Sequence, residues 1–199
     1  DLEKTFGENK ATWVFSSATN FRKIIDPTYK YHRKKTRKPL AYKSLVEYIC
    51  NKYNNETWDD LAADDVLGYL ATLEVNLNKV IVISDDKDLL TIPGQIYRLG
   101  EMHNITQKTA DYNWLYQTLT GDTADGYKGC PGIGPKAAMN ILNKECSFKA
   151  VLKAFENASL TYDDALRQAR LARILRYEDY DFEHKKVNLW EPKQESISS

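Results

Sequence analysis

The sequence predicts an α/β fold, a parallel sheet flanked by helices, followed by a helical region. Two short runs of β-branched and aromatic residues, Ala11 to Ser16 and Lys79 to Ser84, are predicted to be buried strands because each stops at a polar cluster. Between them, apolar residues recur at helical spacing after Pro39 and again after Asp65. The order strand, helix, helix, strand indicates a parallel sheet covered by helices, in which ligands bind outside the carboxyl ends of the strands.

The remaining elements follow the same kind of pattern. Gln95 to Leu99 is a candidate third strand. From Thr109 onwards we expect helices, and two of them are predicted over Pro135 to Leu142 and Ala165 to Arg176. Because the chain contains no internal repeat or low-complexity linker, we expect one compact unit with an α/β half and a helical half.

Composition excludes several classes of protein. Of 199 residues, 42% are apolar and 28% are charged, which is typical of a folded soluble domain. The longest apolar run, Val80 to Ile83, is far shorter than the roughly 20 residues that span a bilayer, so we expect no membrane association. Cys50, Cys130 and Cys146 form no C-x-x-C pair, so we expect a reducing cytoplasm and no zinc site. Because the first residue is Asp1, we expect a processed chain or a fragment.

Charge is segregated along the chain. Residues 20–39 hold eight cations and one anion, a net +7, whereas residues 54–88 hold nine acids and two lysines, a net −7. A basic segment near an acidic cluster suits a protein that grips a polyanion while binding divalent cations. The alternative, a basic loop and an acidic helix that pair with each other, stays open at this point.

A glycine-rich turn is the most specific local signal. It runs from Gly129 to Ala138 with the sequence GCPGIGPKAA. Its glycines allow close backbone approach, Pro135 suits a first helical position, and the amides at a helix start favour an anion, with Lys136 beside them. We interpret it as a phosphate cradle, and an ordinary turn closed by Pro and Gly is the alternative.

Three pairs of acidic residues lie at predicted element ends. One pair opens a helix, one follows a strand, and one precedes the glycine-rich turn: Asp64 and Asp65, Asp86 and Asp88, Asp122 and Asp125. Singly, each could be a helix cap or turn former. Jointly, six converging carboxylates would need cations, and oxygen-only ligands favour Mg²⁺ or Mn²⁺ over zinc.

Cations and aromatic rings alternate in the basic segment. Phe21, Tyr29 and Tyr31 lie among its lysines and arginines. This composition suits single-stranded nucleic acid, because rings stack on bases while cations neutralise phosphates. A mobile surface loop or a localisation-type basic tract is the alternative.

Together these segments resemble the 5′→3′ exonucleases of the flap-endonuclease superfamily, most closely those of short-tailed bacteriophages. The resemblance runs from Trp13 to about Trp190 and rests on five strings in the family's order: FRKIIDPTYKYHRKK, ADDVLGYLA, VIVISDDKDLLTI, GDTADGYKGCPGIGPKAA and RLARILRYEDYDF. It implies a PIN-like nuclease core with a basic arch over residues 1–107, its first strand missing, and a DNA-binding region with a helix-hairpin-helix motif over residues 108–199.

The resemblance also implies site residues. The metal ligands, for two or more Mg²⁺ ions, would be Asp64, Asp65, Asp86, Asp88, Asp122 and Asp125. Lys30 and Arg33 would act at the scissile phosphate. The hairpin would hold the downstream duplex, often with a K⁺ ion. The DNA-binding residues would be Arg22, Tyr29, Lys34, Lys35, Arg37, Lys38, Gly132, Gly134 and Lys136.

Departures from the family pattern concern one metal position. No strand ending in Asp precedes Trp13, Ala62 stands where the family has Glu, and Ser16 to Ala18 follow the strand where many relatives place an Asp. We therefore expect either a truncated active nuclease or an impaired member of the family.

The expected function is a Mg²⁺-dependent, structure-dependent 5′→3′ exonuclease, flap-endonuclease-like, acting on DNA with a 5′ end, nick or flap. RNA in hybrids stays open as a second substrate. A catalytically impaired DNA-binding protein is the alternative. A monomer is expected, in the host cytoplasm if a phage encodes it.

Overall fold

The structure is a computed structural model that describes residues 11–35, 37–77 and 79–193. In these residues the α/β half contains five strands and three α-helices: β1 Trp13–Val14, α1 Arg22–Ile25, α2 Tyr42–Lys52, β2 Asn55–Glu56, α3 Ala63–Thr72, β3 Ile81–Ile83, β4 Gly94–Arg98 and β5 Glu101–Ile105. Short 3₁₀ helices connect them over Tyr31–Lys35, Glu74–Asn76 and Lys87–Thr91.

The predicted parallel pairing of strands is present, but the parallel pairs belong to two different sheets. β1 pairs parallel with β2, and β3 pairs parallel with β4, so the described strands of the α/β half form two sheets rather than one. β5 returns antiparallel on β4. The first and third strands are shorter than the predicted Ala11–Ser16 and Lys79–Ser84, because the ladder hydrogen bonds cover only their central residues.

The helical half follows in sequence. As far as residue 193, it contains four α-helices, one 3₁₀ helix and a two-stranded antiparallel ribbon: α4 Gln107–Thr120, α5 Pro135–Lys144, α6 Phe148–Asn157, α7 Tyr162–Ala172, 3₁₀ Tyr177–Asp179, β6 Tyr180–Asp181 and β7 Lys186–Val187. The helix predicted over Ala165 to Arg176 ends earlier, at Ala172, because backbone groups beyond it form hydrogen bonds with side chains outside the helix. Arg22 donates to the carbonyl of Arg173, and the amide of Leu175 donates to Asp65.

One large apolar cluster fills the helical half, and two smaller clusters lie on either side of α3. Val66 and Tyr69 belong to one of the smaller clusters, and Ala71 to the other. α3 packs against both β1 and β3. A Cβ added to Gly68 would lie 2.3 Å from the carbonyl oxygen of Leu175, so this glycine allows α3 to approach the helical half. The packing therefore fixes the amino end of α3 beside the segment after α7.

Among the helices within residues 11–35, 37–77 and 79–193, none combines the length and apolarity needed to cross a membrane.

Candidate active site

A small cavity of about 20 Å³ lies where the two halves meet. Its polar lining includes Lys30, Asp64, Asp88, Gln117 and Asp125. A space of this size holds about one water or one bare cation. A phosphodiester would therefore have to lie at its mouth.

The amino end of α3 carries Asp64 to the cavity. Ala62 is in the extended conformation that precedes a helix, and the Ser16 hydroxyl accepts a hydrogen bond from the Ala63 amide at 3.0 Å. That bond ties the helix start to the chain leaving β1, and an acid in the first turn suits the positive end of the helix dipole. No hydrogen bond from the described part of the chain reaches the Asp64 carboxylate. Burial first, then the charges of Asp86 and Asp65, raise the pKa of Asp64 to about 6.

Asp86 and Asp88 lie just beyond the carboxyl end of β3, as the sequence predicted. Asp86 caps the following 3₁₀ helix, because its Oδ1 accepts from the Asp88 amide at 2.9 Å. Asp88 in turn accepts from Gln117 Nε2 at 2.8 Å. Burial, and then the charge of Asp86, raise the pKa of Asp88 to about 6. Asp86 therefore repels both Asp64 and Asp88. The charges of Lys30 and Arg22 near Asp64, and of Lys87 near Asp88, act in the opposite direction but do not outweigh burial and repulsion.

Asp122 and Asp125 lie in the turn after α4 and have cationic partners. The Asp122 Oδ1 accepts from the Ala124 amide at 2.7 Å, and its Oδ2 lies 3.0 Å from Lys87 Nζ. Burial acts to raise the pKa of Asp122, but Lys87 and the loop amides outweigh it and leave that pKa lowered. Asp125 lies 3.2 Å from Lys30 Nζ and 2.8 Å from Arg33 Nη2.

Lys30 and Arg33, which follow α1 in the α/β half, thus reach Asp125 in the helical half. Lys30 has a positive φ of 54°, which is uncommon for a residue other than glycine, and its amide donates to the Asp125 carbonyl at 2.9 Å. Such a conformation persists only where the surroundings impose it, and it is frequent at functional sites.

Arg22 and Tyr29 are not where the DNA-binding prediction put them. Arg22 is only 4% exposed, and its guanidinium pairs with Asp65 at 2.6 Å. Tyr29 is 3% exposed, and its hydroxyl donates to Asp125 at 2.8 Å. A base can neither stack on a ring nor contact a guanidinium that protein atoms enclose. Sequence could not foresee this, because Asp65 lies 43 positions beyond Arg22.

The other predicted DNA contacts lie at the surface where they are described. Arg37 and Lys38 are exposed, with Lys38 Nζ 4.3 Å from the centre of the Tyr42 ring. The side chains of Lys34 and Lys35 lie outside the described residues. Gly132, Gly134 and Lys136 are exposed around the start of α5. A Cβ at either glycine would meet no atom within 4 Å.

The carboxylates suit a hard divalent cation, though no ready-made cage is present. Within residues 11–35, 37–77 and 79–193, no three Asp, Glu, His or Cys side chains are grouped so that they could hold a metal ion. Mg²⁺ needs no such cage, because it keeps several waters and takes one or two carboxylates together with substrate phosphates. Asp64 and Asp88, which face one cavity with raised pKa values, fit that mode of binding.

Two residues of the site were missed by sequence reasoning. Gln117 orients Asp88 from the middle of α4, and Lys87 pairs with Asp122. The sequence could have indicated Gln117, because it is a polar residue between Leu115 and Thr118, which are both buried. Lys87 gave no signal beyond its position between two acids.

Comparison with known proteins identifies relatives of the whole chain. Residues 2–117 match the family model described as 5′-3′ exonuclease, N-terminal resolvase-like domain. The exodeoxyribonuclease of Enterobacteria phage T3 is 31% identical over an alignment that covers 97% of this chain and 79% of the relative. The exonuclease of Escherichia phage T7 is 29% identical over 96% of this chain and 79% of the relative.

A solved structure has the same fold. The bacteriophage T5 flap endonuclease, in a pseudo-enzyme-product complex with DNA and metal ions, superimposes with a TM-score of 0.70. The match covers 86% of this chain and 76% of the other, at 17% sequence identity.

Proposed function

The chain belongs to the 5′→3′ exonuclease family, and we therefore propose that it is a divalent-metal-dependent 5′→3′ exodeoxyribonuclease with flap-endonuclease-like activity. Its substrate is DNA with a 5′ end, nick or flap, and RNA in hybrids is a candidate second substrate. Mg²⁺ or Mn²⁺ is the proposed cofactor. We place the nuclease core in residues 1–107 and the duplex-binding region, with its helix-hairpin-helix motif, in residues 108–199.

The observation that carries the proposal is that Asp64 and Asp88 line one small cavity and neither forms a salt bridge with another described residue. Their pKa values are raised to about 6 and Asp86 lies beside both, so the site favours an added positive charge. A divalent cation held there supplies, when bound, Lewis-acid stabilisation of the charge that develops on the phosphate.

The cavity lining supports hydrolysis by water. Its lining residues include no Ser, Thr, Cys or His, and burial raises the pKa of both tyrosines in the lining, Tyr29 and Tyr127, so each phenol stays protonated and is a poor nucleophile. We assign the carboxylates to the cation, which leaves water as the proposed nucleophile. Lys30 Nζ is half-buried and borders the cavity, where it can turn from Asp125 to a phosphate oxygen. Gln117 keeps Asp88 oriented through its 2.8 Å hydrogen bond.

The start of α5 suits a duplex backbone. Gly134 has φ −87° and ψ −178°, a conformation open to any residue, and its Cβ position is empty. Neither backbone geometry nor internal packing therefore requires glycine there, whereas an approaching phosphate does. Lys136 is exposed in the same first turn.

A catalytically impaired DNA-binding protein is the second candidate. It is favoured by Ala62, which lines the cavity beside Asp64 and carries no carboxylate. Its DNA contacts would be those proposed above, without the cleavage.

One experiment separates the two functions. Duplex and flap DNA, labelled at the 5′ or the 3′ end, is incubated with the protein in Mg²⁺ or in EDTA. The nuclease releases 5′ label as short products in Mg²⁺ alone, and Asp88→Asn suppresses the release. Binding without release in either buffer would instead support the impaired protein.

A further inference from the structure

We propose that Asp65 is not a metal ligand and instead forms, with Arg22, a buried positioning pair that holds Asp64 and Tyr29 at the cavity. The inference deepens the proposed function and rests on it. Asp65 follows Asp64 directly, yet successive helical residues point about 100° apart, so one side chain faces the cavity while the other faces the interior.

The Asp65 carboxylate is already saturated with donors. Oδ1 accepts from Arg22 Nη2 at 2.8 Å and from the Leu175 amide at 3.2 Å. Oδ2 accepts from Arg22 Nη1 at 2.6 Å and from the Ala62 amide at 3.3 Å. An ionised carboxylate has about four lone-pair sites, so none is left for a cation.

Arg22 is equally fixed from its other side. Its Nε donates to the Leu171 carbonyl at 3.0 Å, Nη2 also donates to the Arg173 carbonyl, and its Cζ lies 4.7 Å from the centre of the Phe21 ring. Burial acts to lower the pKa of the guanidinium, but Asp65 outweighs burial and leaves that pKa raised, so the cation persists.

Asp65 differs from Asp122 in how easily its cationic partner could release it. The partner of Asp122, Lys87, has a side chain that is 64% exposed and can move into solvent to release the carboxylate. Arg22 and Asp65 are 4% and 0% exposed. Opening that pair would leave two buried charges unpaired, which is strongly unfavourable.

The pair connects the elements that form the cavity. Through the Ala62 amide it fixes the start of α3 and hence Asp64. Through Leu171 and Leu175 it fixes the segment around the end of α7. The Arg22 guanidinium also lies 5.8 Å from the Tyr29 ring, whose hydroxyl bonds Asp125. A change at Asp65 should therefore alter the geometry of catalysis rather than the affinity for metal.

The test compares Asp65→Asn with Asp64→Asn, and uses Asp59→Asn, an exposed acid outside the cavity lining, as the matched control. Mn²⁺ binding is measured by calorimetry, and cleavage of a flap substrate is measured over a range of Mg²⁺ concentrations. We expect Asp64→Asn to weaken Mn²⁺ binding about tenfold or more. We expect Asp65→Asn to stay within about threefold of the unaltered protein, with a lower kcat and an unchanged half-saturating Mg²⁺ concentration.

A second variant keeps the proposal testable if Asp65→Asn folds poorly. The double variant Arg22→Gln with Asp65→Asn replaces the ion pair by two neutral amides, so neither charge is left buried without its partner. If the pair positions the site, the double variant should have both a higher kcat and a higher free energy of unfolding than Asp65→Asn. If the pair is purely structural, only the free energy of unfolding should recover.

Besides a double variant that recovers stability but not kcat, two results would overturn the inference. The first is an Asp65→Asn variant that loses as much Mn²⁺ affinity as Asp64→Asn does, or that regains its activity when Mg²⁺ is in excess. The second is an unaltered protein that binds no Mn²⁺ at all, which would contradict the proposed function itself and remove the inference with it.

Discussion

At the scale of single residues, Asp64 and Asp88 make the metal-free protein sensitive to pH. Each has a pKa raised to about 6 in the folded protein, compared with the 3.8 of an unperturbed Asp. An acid whose pKa is raised on folding contributes stability below its unfolded pKa and loses that contribution as pH rises through its folded pKa. The favourable contribution is thus complete below about pH 4 and lost by about pH 7.

We therefore predict that the free energy of unfolding of the metal-free protein falls between pH 4 and pH 7 on account of these groups. The loss should be of order 1 kcal/mol for each carboxyl after solvent screening. Urea unfolding in EDTA, with Asp88→Asn and with Asp59→Asn as control, measures it. Between pH 4 and pH 7, the free energy of unfolding should fall less steeply in Asp88→Asn than in the Asp59→Asn control. Equal slopes in both variants would show that Asp88 is not perturbed.

At the scale of elements, the turn between α4 and α5 depends on two glycines of different kinds. Gly129 and Gly132 both have positive φ, 67° and 78°. A Cβ on Gly129 would lie 2.3 Å from the Gly121 amide nitrogen and 2.5 Å from the Leu119 carbonyl oxygen, whereas a Cβ on Gly132 would meet nothing within 4 Å. Position 129 therefore combines backbone strain with steric overlap, and position 132 has strain alone.

The matched pair Gly129→Ala and Gly132→Ala separates these contributions. Gly132→Ala should cost about 1 kcal/mol of unfolding free energy, the penalty for a left-handed L-residue, and Gly129→Ala at least about twice as much. Urea titration of both variants gives the comparison. Similar losses would contradict the close backbone approach at Gly129.

A third glycine tests the duplex contact. Gly134→Asn adds a side chain at the start of α5 and supplies a better helix cap, so stability should hold or rise slightly. Binding to blunt duplex, measured by fluorescence anisotropy in metal-free buffer, should nevertheless weaken about tenfold because the phosphate backbone is kept away from the amides. Unchanged duplex affinity would remove α5 from the DNA-binding surface.

The elements were more predictable than the contacts between them. The helical periodicity after Pro39 and the acids before Val66 located α2 and α3, and the β-branched run before Ser84 located β3. The same local pattern could not distinguish Asp64 from Asp65. Which of two adjacent acids faces the cavity depends on Arg22 and Leu175, which lie far away in sequence.

At the scale of the whole molecule, the segregated charge should control binding to single strands. Arg37 and Lys38 are exposed at the end of the basic segment. Replacing both by Ala should flatten the dependence of log affinity on log salt for flapped DNA by about 0.7 for each cation removed. The control variant, Lys43→Ala with Lys79→Ala, removes two exposed lysines outside that segment and should leave the slope unchanged. Equal effects of the two variants would show that only overall charge matters.

The family and the α/β class followed from the order of motifs, but the division of the described α/β strands into two sheets did not. Trp13–Val14 and Ile81–Ile83 are short strands with similar β-branched and aromatic composition. Composition predicts that such runs are strands, yet it does not say which strands are neighbours. That depends on α3, which packs against both strands and anchors each to its own apolar cluster.

We propose that Asp64 and Asp88 hold the divalent cation and that Asp65 does not. Anomalous diffraction from crystals grown with Mn²⁺ tests it most directly. We expect an anomalous peak within about 2.5 Å of carboxylate oxygens of Asp64 and Asp88, with Asp65 still paired to Arg22. A peak bound by Asp65, or Mn²⁺ held only at sites outside the cavity, would contradict it.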